Sequence, residues 1–302
     1  MEKIKISIIG AGRVGSTLAY LFNNIKNQDI KINCVASRTQ QTLKKVENFL
    51  GPESEDILFT TDLGQAAADS NCIFLATPDD AIERITGNIF DGMEDCGEKY
   101  VIHFSGSKSL KALNKAKEAG AKVGCMHPIK SFASPEEAVK TIKGTVFGIT
   151  YSQQSVKKLI VFFVELMEGS FIEVSDKTKP MYHAACCVAS NYLVALMDYA
   201  VAINQKIGIN PHDSVKALMG LVEGTLKNIK KMGTKESLTG PIARGDVGTI
   251  KDHLGNFSEN DFNKEVYSIM GKRAAEIAYG NKWIDEQTYN SLIKVLEVDR
   301  NK

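Results

Sequence analysis

The segment Gly10-Ala11-Gly12-Arg13-Val14-Gly15 has the G-x-G-x-x-G spacing that suits a bound pyrophosphate. It follows an apolar, β-branched run, Ile4–Ile9, and opens a helical pattern, Val14–Ile25. Gly10 permits the tight turn, Gly12 lets the backbone approach phosphate oxygens, and Gly15 lets the helix pack closely on the strand. Arg13 and Val14 lie at the helix start, where free N–H groups and the positive end of the helix dipole favour an anion. A glycine turn without a ligand is the plain alternative. The next strand run ends Cys34-Val35-Ala36-Ser37-Arg38-Thr39, with no acid to hold a ribose 2′-hydroxyl. Ser37 can donate to a 2′-phosphate instead, and Arg38 can pair with it and stack on adenine, with Thr39 completing the tip. The expected cofactor is therefore NADP(H) rather than NAD, unless Arg38 is a solvated loop residue.

Two more segments lie where strand-like runs end, Ala76-Thr77-Pro78-Asp79-Asp80 and His103-Phe104-Ser105-Gly106-Ser107. Thr77 and Ser105 are candidates for the ribose or nicotinamide end of the cofactor, though either loop could be purely structural. His127 sits at another strand end, and the Pro128 that follows biases it towards an extended conformation. It is a candidate substrate contact or a structural histidine. The run Lys179-Pro180-Met181-Tyr182-His183 through Asn191 reads as a helix with Pro in its first turn. At about 100° per residue, His183, Cys187, Ser190 and Asn191 share one sector of an otherwise small, apolar surface. A histidine there, with an ordinary pKa of about 6.5, could protonate an oxyanion while Asn191 orients it. An internal polar network is the alternative. In Leu238-Thr239-Gly240-Pro241-Ile242-Ala243-Arg244-Gly245-Asp246, Arg244 could present a bidentate fork to a substrate carboxylate or lie in a surface salt bridge.

The elements that must position these residues change character along the chain. Up to about residue 174, strand-like runs (4–9, 32–36, 72–76, 100–104, 122–126, 144–149, 171–174) alternate with helical patterns. That alternation predicts an α/β domain, a doubly wound, mostly parallel sheet with helices on both faces. From 175 to 302 the chain reads as long helices, broken at 208–211, 234–246 and 255–260. The expected domains are thus 1–174 for the cofactor and 175–302, all-α, for substrate and dimerisation.

Composition bounds the rest. With 37 Lys and Arg against 36 Asp and Glu, bulk charge points to no nucleic acid and no membrane surface. The six cysteines show neither a C-x-x-C spacing nor a zinc pattern, so no metal is expected and buried reduced thiols in a cytoplasmic protein are. The longest apolar segment, 184–203, is interrupted by Asn191 and Asp198 and reads as a core helix rather than a membrane span.

Taken together, the Gly10–Gly15 turn, the Ser37-Arg38-Thr39 tip, His127-Pro128, the His183–Asn191 helix and the Thr239–Asp246 loop resemble a group of Rossmann-like proteins. The helical C-terminal half of that group has long been catalogued as a domain of unknown function. The layout is similar to 6-phosphogluconate-dehydrogenase-like enzymes, pyrroline-5-carboxylate reductases and prephenate dehydrogenases, and some members of the group resemble a second type of ketopantoate reductase. The better-known ketopantoate reductases carry a catalytic Lys with Asn four and eight residues later. Aligned on Asn191, the Lys position is His183 and the middle Asn is Cys187, so one position of three matches; Lys179 is then a second candidate acid. The resemblance also implies a homodimer formed through the helical domain.

The reading that joins these features is an NADPH-dependent reductase of a small 2-oxo acid, with ketopantoate, a precursor of pantothenate, as the expected substrate. His183 or Lys179 would supply the proton, and Arg244 would hold the carboxylate. The alternatives are a pyrroline-5-carboxylate-reductase-like imine reductase and an NADP-binding sensor or scaffold without turnover.

Overall fold

The computed structural model describes residues 3–25, 27–258 and 261–297. The chain divides into two compact units, Met1–Tyr192 and Leu193–Lys302. The boundary lies beyond the expected 174/175 because the helix Lys179–Ala189 is tied to the sheet by side chains described below.

The first unit holds eight strands: β1 (Ile4–Ile9), β2 (Ile30–Ala36), β3 (Leu58–Thr60), β4 (Cys72–Leu75), β5 (Tyr100–His103), β6 (Lys122–Pro128), β7 (Val146–Tyr151) and β8 (Ser170–Glu173). They form one sheet in the order β3-β2-β1-β4-β5-β6-β7-β8. Every neighbouring pair is parallel except β6 and β7. The doubly wound, mostly parallel sheet is as expected. The short β3 lacked a readable pattern because three residues do not establish a period.

The sheet is buried on both faces, which is why its central strands are continuous apolar runs rather than alternating ones. Along β4, Cys72 and Phe74 join one core while Ile73 and Leu75 join the other. The helices Arg13–Asn24 and Gln154–Leu166 cover the first face, and Ile82–Phe90 covers the second. Phe74 is the pivot of the first core: its ring lies 5.0 Å from Phe163, 5.2 Å from Phe104 and 6.0 Å from Phe22, centroid to centroid. Parallel winding brings the carboxyl ends of β1, β4 and β5 to one edge. The order reverses between β1 and β4, the position at which ligands enter open α/β sheets.

In the second unit the described residues are helical and no strand follows Glu173. Its small core consists of Ile242, Ile250, Leu254, Ala275, Ala278, Ile284, Leu292 and Leu296. The expected breaks at 208–211 and 234–246 are present, capped by Asn210 and Asp246. At the third, Asp261 caps the next helix, while Glu259 and Asn260 lie outside the described residues. A further break separates the helix Phe262–Gly280 from Glu286–Val295.

The expectation of a core helix over 184–203 is corrected. Within the helix Lys179–Ala189 only Lys179 is buried, and the helix Asn191–Lys206 buries none of its residues. Asn191 and Asp198 were expected to rule out a membrane span. Yet the helical run Asp176–Lys206 meets the length and hydropathy of a bilayer-crossing helix, with 6% of its most apolar window buried. Apolar composition predicts that a surface is covered, not that the same chain covers it.

Replacing Phe74 by Ala should lower stability by about 3–5 kcal/mol in urea unfolding, because a large aromatic cavity opens in a tightly packed core. Phe262→Ala, at a 74% exposed position, should change it by less than about 0.5 kcal/mol.

Candidate active site

The glycine turn has the geometry its spacing implies. Gly10 has φ +107°, and a Cβ there would stand 2.4 Å from the Ala76 carbonyl oxygen; one on Gly15 would stand 1.8 Å from the Gly10 oxygen. Both positions therefore exclude a side chain. A Cβ on Gly12 would meet nothing within 4 Å, so this glycine leaves open space in front of the helix. The helix Arg13–Asn24 has no side-chain cap at Gly12, which leaves its first N–H groups facing that space. Across the β1–β4 crevice, Thr77 Oγ1 is buried with no hydrogen-bond partner among the described residues. An open glycine, an uncapped helix start and an orphaned hydroxyl suit a dinucleotide.

Other expected cofactor contacts divide. Arg38 is exposed, and its guanidinium forms no ion pair among the described residues. Ser37 is half-buried, its backbone N–H donating to Thr60 O. Thr39 has a different role: its Oγ1 accepts from Thr42 N and caps the helix Gln40–Leu50. Arg13 Nη1 donates to Phe132 O at 3.3 Å, and Val14 packs its side chain on the first core, so its backbone is the part free to meet a ligand.

The second cluster lies at the carboxyl ends of β5 and β6. Ser105 does not present its hydroxyl outward. Its Oγ donates to Asp79 Oδ2 at 2.7 Å and accepts from the N–H groups of Ser107 and Lys108. Ser107 Oγ also donates to Asp79 Oδ2, at 2.7 Å. This network fixes Gly106, at which a Cβ would stand 2.4 Å from His183 Cδ2 and 2.8 Å from His127 Nε2. The two imidazoles thus converge on a backbone surface without a side chain, their centroids 5.8 Å apart. His127 Nδ1 is 2.7 Å from the hydroxyl of Tyr182. That phenol lies over β7, where a Cβ on Gly148 would stand 2.3 Å from its oxygen. Nδ1 of His183 faces Cys187 Sγ at 3.8 Å.

Lys179 is fully buried. Its Nζ donates to Ser105 O at 3.1 Å and to Cys125 Sγ at 3.0 Å. The amine is sealed behind the loop, so of the two candidate acids only His183, half-buried, lies at the Gly106 surface. The expected sector His183–Asn191 is interrupted. The helix ends at Ala189, Ser190 is a distorted right-handed turn residue (φ −117°, ψ −68°), and an exposed Asn191 begins the next helix. A uniform turn of 100° per residue does not survive that break.

Burial and then the Lys179 charge hold His103 at about 3; burial and the charges of Lys179 and His183 hold His127 at about 4. Burial raises Tyr182, so its phenol stays protonated, and it raises Cys125 against the opposing pull of Lys179. His103 Nδ1 accepts from Ser105 N, and its buried Nε2 has no partner among the described residues. Asp79, Gly106, Tyr182 and His103 were not identified as site residues from the sequence. Gly148 is the one legible signal among their partners, since a glycine inside a strand marks close approach by another group.

In the second unit, Arg244 is exposed on a short 3-10 turn and makes no ion pair among the described residues. Asp246 does not hold it; its carboxylate accepts from Thr249 N and Oγ1 and caps the helix Val247–Gly255. All six cysteines are free, four of them buried.

Residues 5–106 match the family model described as NADP oxidoreductase, coenzyme F420-dependent, and residues 145–274 match a domain of unknown function, DUF2520. None of the curated proteins matches. Among solved structures, a candidate NADP oxidoreductase of Bacteroides fragilis is 19% identical, with TM-score 0.71 over 91% of this chain and 98% of that one. A protein of Thermotoga maritima is 22% identical, with TM-score 0.71 over 92% and 99%. The pyrroline carboxylate reductase of Plasmodium falciparum, solved with NADP bound, is 16% identical, with TM-score 0.55 over 98% and 100%. The fold is shared with these proteins. NADP(H), the cofactor expected from the Ser37-Arg38 tip, is the one named by the family model of the first segment and by the Plasmodium structure.

Because His103 is neutral when folded and takes up a proton below about 6.5 when unfolded, stability should be fully present above that pH. It should fall by about 1.4 kcal/mol per pH unit as pH drops towards 3, with His127 adding to the slope down to about 4. Urea unfolding at pH 7, 6 and 5 reads this slope. His103→Asn, which keeps an acceptor for Ser105 N, should flatten it; an unchanged slope would contradict burial of a neutral imidazole.

Proposed function

We propose that the chain is an NADPH-dependent reductase of a small 2-oxo acid. The observation that carries this reading is the pair of imidazoles, His127 and His183, set against Gly106 on the sheet edge that also bears the dinucleotide turn. Gly10, Gly12 and Gly15, with the N–H groups of Arg13 and Val14, would hold the pyrophosphate. Ser37 and Arg38 would take the 2′-phosphate, and Thr77 the ribose. NADPH, when bound, supplies the hydride.

The chain's own part is to orient and to move a proton. In the tautomer in which the protonated Tyr182 phenol donates to His127 Nδ1, 2.7 Å away, Nε2 would carry the hydrogen and serve as a donor to the substrate oxygen. His183 would deliver the proton to the forming alkoxide, which is strongly basic. Ketopantoate remains the first substrate to try. The Arg244 guanidinium forms no ion pair among the described residues and suits a carboxylate.

A second reading, reduction of a C=N bond, is favoured by the pyrroline carboxylate reductase among the structural neighbours. The product amine is itself a base, so this chemistry asks less of His183.

The exposed helices support a homodimer. Val194, Leu196, Met219, Leu221 and Leu226 are between 39% and 70% exposed, on two helices that bury a single serine between them. A second copy of the chain is the partner proposed for that surface.

NADPH oxidation with ketopantoate and with pyrroline-5-carboxylate should show turnover of the oxo acid, reduced about 10²–10⁴-fold by His183→Gln. Turnover of the imine alone, insensitive to that change, would favour the second reading. Binding of NADPH without oxidation of either would indicate a sensor, and no binding would overturn the assignment. Sedimentation should give twice the chain mass; a monomer would remove the dimer.

A further inference from the structure

The mechanism leaves the most deeply buried lysine of the first unit without a task. Lys179 is fully buried, yet no carboxylate lies within ion-pair distance of it among the described residues. Its two partners are the carbonyl oxygen of Ser105 and the thiol of Cys125, which itself donates to the same carbonyl at 3.2 Å. A buried amine held by two uncharged groups is a poor device for stability, because nothing there neutralises it.

Its placement is informative. Ser105 follows β5, Cys125 lies on β6, and Lys179 opens the helix that carries Tyr182 and His183 three and four residues later. On a helix those spacings share one face. One amine therefore ties together the three elements that supply Gly106, His127 and the Tyr182–His183 pair. Asp79 fastens the same loop from the other side through the hydroxyls of Ser105 and Ser107.

We propose that Lys179 is the positioning residue of this site: its buried amine pins the Ser105–Gly106 backbone between β6 and the helix, holding both imidazoles in register. Its amine is fully buried and engaged with Ser105 O and Cys125 Sγ, which suits holding the loop rather than delivering a proton to substrate. The same amine brings a positive charge to the neighbourhood of His127. The other groups facing that ring are His183 and Tyr182 from the helix, Asp79 after β4, His103 on β5 and Cys125 on β6. Of these only Asp79 favours protonation; burial first, and then the charge of Lys179, keep His127 neutral.

The kinetic part of the test rests on the proposed reductase activity; the NMR part does not. In wild-type protein carrying labelled histidine, His127 should titrate near 4. In Lys179→Met, matched in length but uncharged, its titration should move up by about one pH unit. Lys179→Gln, which keeps an N–H donor for the Ser105 carbonyl, should show the same rise with less loss of loop order. In turnover assays Lys179→Met should lower kcat by about 10²-fold with KM for NADPH little changed, and acid inactivation should begin at a higher pH. A folded variant with unaltered His127 titration and unaltered kcat would overturn the proposal. If neither variant folds, the wild-type protein still decides: a His127 titrating at about 6.5 would be incompatible with this environment.

Discussion

The candidate site depends on one backbone segment being held without a side chain of its own. Ser105, Gly106 and Ser107 are fastened by the Asp79 carboxylate on one side and by the Lys179 amine on the other. Between these anchors the absence of a Cβ on Gly106 is what admits His127 and His183. Two imidazoles held this close would repel each other if both were charged, so burial and the nearby amine, which keep His127 neutral, are part of the same arrangement. Packing and electrostatics are thus one constraint here: loosening the loop would hydrate His127, and hydration would restore its ordinary basicity.

The dinucleotide crevice is built on the same logic of close approach. Gly10 and Gly15 are glycines because backbone oxygens occupy the space a side chain would need, whereas Gly12 is one because a ligand needs it. The distinction matters. The first two stabilise the turn in any state of the protein, and the third pays off only when an anion is present.

The helices Asn191–Lys206 and Pro211–Met232 pose the opposite question. The segment 184–203 has the composition of a core helix yet lies exposed, because hydropathy reports what a surface avoids without saying what covers it. Leu221 and Val194 are as exposed as many charged residues. A long apolar stretch of this kind satisfies the composition of a core helix, a membrane span and a subunit interface alike.

What the sequence determined by itself was local: the layout of the sheet and the turn that opens its first helix. The alternation of apolar runs defined the doubly wound sheet, the glycine spacing defined the phosphate turn, and the missing acid after Ala36 pointed to NADP(H). The His127–Tyr182 contact spans 55 positions and the Lys179–Ser105 contact spans 74, and no local period encodes either. From the sequence Lys179 was a candidate acid and Ser105 a cofactor contact; folding buried the first and turned the hydroxyl of the second inward to Asp79. Residue type states which chemistry a side chain can perform. Its partners and its access to water decide which it does, and both are set by strands and helices that meet only after the chain has folded.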